Sequence, residues 1–241
     1  MRATSIIYRR ELGAYLRSPF AWVIAAVLLF VDGILFWGYA LGGEQLSAMV
    51  LERFFYFSSG VSITAGLLLS FRLISEERQT HSIVLLNTSP VRDSEIVLGK
   101  FLAALTFLCV LLLMSLYMPM LIKVNGKITM AQVMVGYLGL LLIGAAALAI
   151  GMFASAMAKN QLIAGVAAVA MLFLMCLLYL FAKKLDSPVR EVLQELDLWW
   201  VHFQNGFMRG VLNLKDVIYY VAAIYFFLLL AVKTLEAKRW Q

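Results

Sequence analysis

Charge is scarce in this sequence: Asp, Glu, Lys and Arg make up 14% of its 241 residues, against roughly a quarter in an ordinary soluble domain. That scarcity excludes a water-soluble fold. Histidine is scarcer still, and neither His81 nor His202 has a second ligand at metal spacing, so no zinc site is expected within the chain. The two cysteines, Cys109 and Cys176, fall inside apolar runs and read as small packing residues, which implies no disulfide framework. A GxxxxGK[ST] phosphate loop is missing, as is any polar stretch long enough for a nucleotide-binding domain. If ATP is used, another chain binds it. A protease site inside a helical bundle would need its histidine there, and both histidines fall in loops, so no catalytic residue and no enzymatic activity are expected.

What the chain has is apolar length. Hydrophobic residues make up 63% of it, gathered into runs of roughly 18 or more, enough to cross a hydrocarbon core about 30 Å thick as helices. Strand-like alternation is missing, and unpaired backbone cannot face lipid, so these runs must be helices. The expectation is an all-α polytopic membrane protein forming one transmembrane unit over residues 1–241. Its six spans are drawn at 20–41, 54–74, 101–123, 131–157, 161–182 and 217–235.

The net charge of +6 and pI near 9.4 do not point to nucleic acid, because the basic residues lie between apolar spans and not in one patch. Twelve of the 20 Lys and Arg flank one side of the drawn topology and eight the other. By the positive-inside rule both ends are expected in the cytoplasm. The polar, Arg-rich opening is unlike a cleaved signal peptide, so the first span is expected to be retained as an anchor.

Within residues 1–19, Ile6, Ile7, Leu12, Tyr15 and Leu16 interleave with Arg9, Arg10 and Arg17, the pattern of a basic amphipathic helix lying among lipid headgroups before Pro19. The loop 183–216 is expected on the external side. It holds a polar helical stretch at 189–198 and an aromatic cluster of Trp199, Trp200, His202 and Phe203, suited to the membrane interface, so the loop is expected to lie against the outer surface or partly re-enter it.

Asp32 lies deep within the first drawn span, where an acidic residue is costly. A functional role and a packing role, satisfied by hydroxyl or backbone groups of a neighbouring helix, are both open. Small residues recur at helical spacing, as Ser62, Gly66 and Ser70 and again as Ala147, Gly151 and Ser155, which suits close helix approach or a dimer contact more than substrate recognition. Pro119 predicts a kink.

The segment 75–100, SEERQTHSIVLLNTSPVRDSEIVLGK, mixes charges with an apolar run too short to cross a bilayer. Ile83, Val84, Leu85 and Leu86 would be a liability in water unless a partner buries them, and Asn87 to Pro90 supplies a stop and turn. A short helix presented to another protein fits this pattern better than a plain connecting loop.

These residues resemble the signature region of ABC-2 type permeases: an acidic and basic cluster (Glu76, Glu77, Arg78), Thr80, an apolar run at 83–86, a turn with Thr88, Ser89 and Pro90, then Gly99 and Lys100 opening the third span. YRRELGAYLRSPFAWV (8–23) is similar to that family's connecting helix, and HFQNGFMRGVLNLKDVIYY (202–220) to its external segment before the sixth span. The chain also resembles the short permeases grouped with gliding-motility and copper-site-maturation transporters.

The resemblance implies a multi-pass protein of a bacterial inner membrane that pairs with a second permease subunit, homomeric or heteromeric, and docks an ABC ATPase. ATP and magnesium would be bound by that ATPase and no cofactor by this chain. The coupling helix would comprise Glu76, Glu77, Arg78, Thr80, His81, Ile83, Leu85, Leu86, Thr88, Ser89 and Pro90, with Arg9, Arg10, Glu11, Tyr15 and Arg17 on the connecting helix. By the same analogy the second and fifth spans would flank a pathway, with Phe54, Phe55, Tyr56, Ser58 and Ser62 as its candidate lining. Two rival functions remain open: a membrane scaffold that uses the same ATPase to power or assemble an envelope machine, and a channel or secondary transporter working alone. The latter lacks the paired interrupted segments such folds often carry.

Overall fold

A computed structural model describes residues 2–42, 46–79 and 91–239. No strand occurs among them, and six helices are long and apolar enough to cross a membrane: Pro19–Ala40, Ser47–Gln79, Asp93–Val124, Met130–Met157, Gln161–Ala182 and Leu214–Lys238. An even number of crossings puts the N-terminal helix Arg2–Arg17 and the end of the sixth span on one face of the bundle, here called the terminal face.

Local chemistry sets the joints. Proline disfavours a helical residue before it and is preorganised for the first helical position. Ser18 is accordingly extended (φ −79°, ψ 117°), and the chain turns there from the N-terminal helix into the first span at Pro19. The first span ends in a π-helical turn at Phe36–Ala40. Pro119 does more than kink the third span. Without an N–H it cannot bond Ser115, and the helix Asp93–Ser115 stops and restarts as Tyr117–Asn125. The fourth span opens on a reciprocal cap between Thr129 and Gln132, and the fifth on Asn160, whose side chain accepts from Ile163 N at 2.9 Å.

Two spans begin earlier than hydropathy suggested. The second helix starts at Ser47 and not at 54, and the third at Asp93 and not at 101. In both, a polar first turn precedes the apolar run, and a helix continues through charged residues where water or capping groups satisfy its ends.

The fourth span is the hub. Its most apolar stretch is 67% buried, against 17% for the fifth span. The small-residue stripes of the second and fourth spans face one another. A Cβ on Gly66 would stand 2.4 Å from the Gly144 carbonyl oxygen, one on Gly151 would strike Ser70 Oγ, and Ser62 Oγ donates to the Leu140 carbonyl at 2.8 Å. Close approach of this kind gives dispersion contact where lipid offers no hydrophobic drive.

At the opposite face, the segment after the short helix Val189–Glu195 is a cap packed on the bundle. Phe203 and Phe207 are fully buried, with Phe207 lying against Gly139 of the fourth span. Trp199 Nε1 donates to Ser59 Oγ at 2.8 Å, and Trp200 stacks on Tyr179. Asp197 organises this cap: its Oδ2 accepts from the backbone N–H groups of Trp199, Trp200 and Val201. Burial pushes its carboxyl above the ordinary value, only partly opposed by those hydrogen bonds. Gly210, in the left-handed region at φ 74°, ends the 3-10 turn Phe207–Arg209. Phe54 and Phe55, considered as pathway lining, are instead buried in the core: Phe54 meets Phe36, and Phe55 fills the space beside Gly136.

Candidate functional site

At the terminal face the second span does not simply stop. After Ser70 the chain makes a turn and re-forms a short helix, Ser75–Gln79, before residues 80–90. Ser155, near the end of the fourth span, fixes this bend: its Oγ accepts from Ile74 N at 3.1 Å and Ser75 N at 2.9 Å and donates to Phe71 O at 3.0 Å. The first N–H groups of the short helix are thereby held by another span.

The short helix then presents its charges in three directions. Arg72 reaches Glu76 with two N–H groups, at 3.2 and 3.0 Å, while its guanidinium lies over the Phe20 ring. Arg78 Nη1 donates to the carbonyl of Ala158 at 3.1 Å, just past the fourth span. Glu77 Oε1 lies 2.9 Å from Lys100 Nζ and 3.3 Å from Arg10 Nη2. Lys100 Nζ is also 3.1 Å from Glu11 Oε1, which accepts from Arg10 at 2.7 Å.

Two cations and two anions thus close a ring joining the N-terminal helix, the end of the second span and the start of the third. The Lys100 side chain is 3% exposed, so this pairing operates in a medium of low polarity where charges interact strongly. Burial alone would raise the Glu11 carboxyl, but Lys100 and Arg10 outweigh it and hold the group below its ordinary value. The hydrogen bond and charge of Glu11 in turn raise the Arg10 guanidinium.

The N-terminal helix is docked on the third span and does not rest on lipid alone. Ile7 is buried against Gly99, where a Cβ would stand 2.9 Å from Ile7 Cγ2. Tyr8 Oη lies 3.1 Å from Thr106 Oγ1, and Tyr15 donates to the Leu69 carbonyl at 3.0 Å. Burial raises the Tyr15 phenol, keeping that donor protonated. Arg9 and Arg17 are exposed, as are Ile6 and Leu16, so the apolar face of this helix is divided between protein and surroundings. A cavity of about 280 Å³ lies under the joint, between Tyr15, Phe20, Leu69, Arg72, Glu77 and Lys100.

Of the expected coupling residues, Glu77 is brought together with Arg10 and, through Lys100, with Glu11; Glu76 shares the lining of the cavity with Tyr15, and Arg78 turns away to Ala158. Thr80, His81, Ile83, Leu85, Leu86, Thr88, Ser89 and Pro90 lie outside the described residues. Asp32 stands apart from this joint, buried at 4% exposure with Ser58 Oγ donating to it at 2.7 Å. Sequence reasoning missed Lys100 as the centre of the joint and Ser155 as its anchor. A lysine opening an apolar span was the available signal for the first, and the second was marked only as a member of the small-residue stripe of the fourth span.

The model of the ABC-2 family transporter proteins matches residues 5–198. The chain belongs to the ABC-2 transporter family. That match takes in the N-terminal helix, the charged joint and five of the six spans, so this permease is a multi-pass membrane component of an ABC transporter system. Comparison with curated proteins gave no match. Membership of that family implies an ABC transporter system with an ATPase partner. Among the described residues there is no group of three or more His, Cys, Asp or Glu able to hold a metal ion.

Proposed function

We propose that this chain is the membrane subunit of an ATP-driven ABC-2 type exporter in which the segment 76–90 receives the stroke of a separate ATPase. The reading rests on one observation above all: Glu77, two residues before the end of the short helix, is ion-paired with Lys100 and Arg10. A push on the residues that follow would pass through Glu77 to the third span and to the N-terminal helix, and through Arg78 to the end of the fourth. Transmission of this kind needs a stiff contiguous link ending on a bundle with two arrangements. The buried ion pairs and the Ser155 anchor supply the stiffness.

In this reading ATP and magnesium are bound by the partner, the terminal face is cytoplasmic, and the membrane is a bacterial inner membrane. A second permease subunit packs on the open faces of the outer spans. The fifth span, with Leu162, Val166 and Phe173 exposed, offers such a face.

The test is the purified complex in liposomes. The chain is expected to co-purify with a soluble protein carrying a phosphate loop. Charge reversal at Glu76 and Glu77 is expected to leave membrane insertion intact while abolishing the substrate response of ATP hydrolysis. Unchanged coupling in that variant counts against the proposal. Hydrolysis that answers only to an envelope protein, and to no lipid, peptide or polysaccharide, would assign the chain to a scaffold that powers an envelope machine.

A further inference from the structure

The cap on the far side of the bundle from the charged joint holds a buried pair of titratable groups. His202, 1% exposed, turns Nδ1 to Asp216 Oδ1 of the sixth span at 2.8 Å and Nε2 to the carbonyl of Glu195 at 3.1 Å, where the short helix Val189–Glu195 ends. Its ring lies flat on Tyr219, with 3.8 Å between centroids. Asp216 is buried too, and its Oδ2 accepts from Asn213 Nδ2 at 3.1 Å. Glycine at 206 leaves room for that oxygen, since a Cβ there would stand 2.8 Å from it. One imidazole thus joins the short helix, the cap and the start of the sixth span.

Proton counting fixes the state of this pair. A neutral imidazole has one N–H and one lone pair, whereas a carbonyl and a carboxylate offer lone pairs only. With one proton on the ring and Asp216 ionised, one of the two contacts would set lone pair against lone pair, out of reach of water. A second proton removes the conflict. An imidazolium donates to both oxygens, and a protonated Asp216 donating to Nδ1 is the same pair with its shared proton moved.

The groups around the pair spend their hydrogens elsewhere. Tyr219 donates to the Leu196 carbonyl at 2.8 Å, and Tyr220, edge-on to the His202 ring, donates to that of Leu198 at 2.7 Å. Lys215 Nζ donates to the Glu195 carboxylate at 2.7 Å, and Asp197 Oδ2 is occupied by backbone N–H groups. The Cys176 thiol of the fifth span lies near the same two phenols. We propose that His202 and Asp216 form a proton-held clasp: two protons between them tie the cap and the short helix to the sixth span, and loss of one as pH rises unties them. Histidine is the side chain that ordinarily changes charge near neutral pH, which suits it to such a switch. The clasp needs no ATPase to operate.

The sequence has two histidines, so ring-nitrogen NMR of the full chain in nanodiscs, with isotope-labelled histidine and His81→Gln for assignment, reads the pair directly. At about pH 6 neither ring nitrogen of His202 should show the shift of a bare lone pair, and by about pH 9 one should. Over that range amide protection across 198–213, corrected for the intrinsic pH dependence of exchange, should fall by about tenfold or more, the loss of one charge-assisted hydrogen bond. Amides of the fourth span should stay protected. Asp216→Asn separates a proton-held clasp from a merely structural contact. Its amide oxygen can accept from Asn213 and its amide N–H can donate to Nδ1, so a neutral imidazole makes both bonds and the cap should stay protected at the alkaline end. A bare ring nitrogen already present at the acidic end would overturn the proposal, as would protection that ignores pH. A pH response that survives in Asp216→Asn would assign the titration to Asp197 or Cys176 and would overturn it equally.

Discussion

Lys100 Nζ lies 2.9 Å from Glu77 Oε1, 23 positions apart in the chain and on either side of the connection between the second span and the third. Because Lys100 also holds Glu11 and is almost completely buried, it is the keystone of the joint. The ring carries no net charge only while the lysine is present.

Replacing Lys100 with Met should therefore cost more than a surface ion pair. It removes the cation that both Glu11 and Glu77 hold, and breaking a buried pair on one side costs about 3 kcal/mol or more. Adding Glu77→Gln to Lys100→Met should recover part of the loss. A double-mutant cycle on thermal or denaturant unfolding in detergent measures the coupling, and strict additivity would show that the two residues act independently.

The joint also sets an acid limit. Glu11 has a folded-state pKa below its ordinary 4.5, so between the two values the unfolded chain binds more protons. Its contribution to stability is complete above pH 4.5 and is lost as pH falls through the lower folded value. Unfolding midpoints followed from neutral to acidic pH should show a shallower acid fall in Glu11→Gln than in the parent.

Span packing predicts a sharp positional contrast between two glycines of one helix. Gly66→Ala places a methyl 2.4 Å from a backbone oxygen of the fourth span and must force the pair apart, whereas Gly60→Ala meets nothing within 4 Å. Overpacking of this kind costs roughly 1–3 kcal/mol. Size-exclusion monodispersity and melting should deteriorate for the first variant only. Gly60→Ala should be neutral or slightly stabilising, since alanine is the better helix former.

In the cap at the opposite face one side chain holds three backbone N–H groups. Asp197→Ala removes the acceptor for three backbone N–H groups, a loss comparable to that of a helix N-cap, ~1–2 kcal/mol. Hydrogen exchange should accelerate across 198–203 while amides of the second and fourth spans stay protected. Asp197→Asn keeps an acceptor and removes a buried charge, so it should lack most of that effect.

The sequence by itself determined the solvent, the number of crossings and the family resemblance. These rest on composition, run length and one local motif, and a backbone in lipid has no alternative to satisfying itself as helix. It also marked the small-residue stripes and Pro119, because packing and proline chemistry are written in local spacing. Tertiary structure alone decided the partners. Gly66 meets Gly144, Ser155 holds the bend at Ile74 and Ser75, and Arg10, Glu11, Glu77 and Lys100 close a ring from three separate parts of the chain. Hydropathy is blind to such pairings, since it averages over a window, and a charge at the edge of a span looks alike whether it faces water or an opposite charge. The same reason kept Asp32 undecided: a lone carboxyl in a span finds its partner, the Ser58 hydroxyl of the second span, only through the fold.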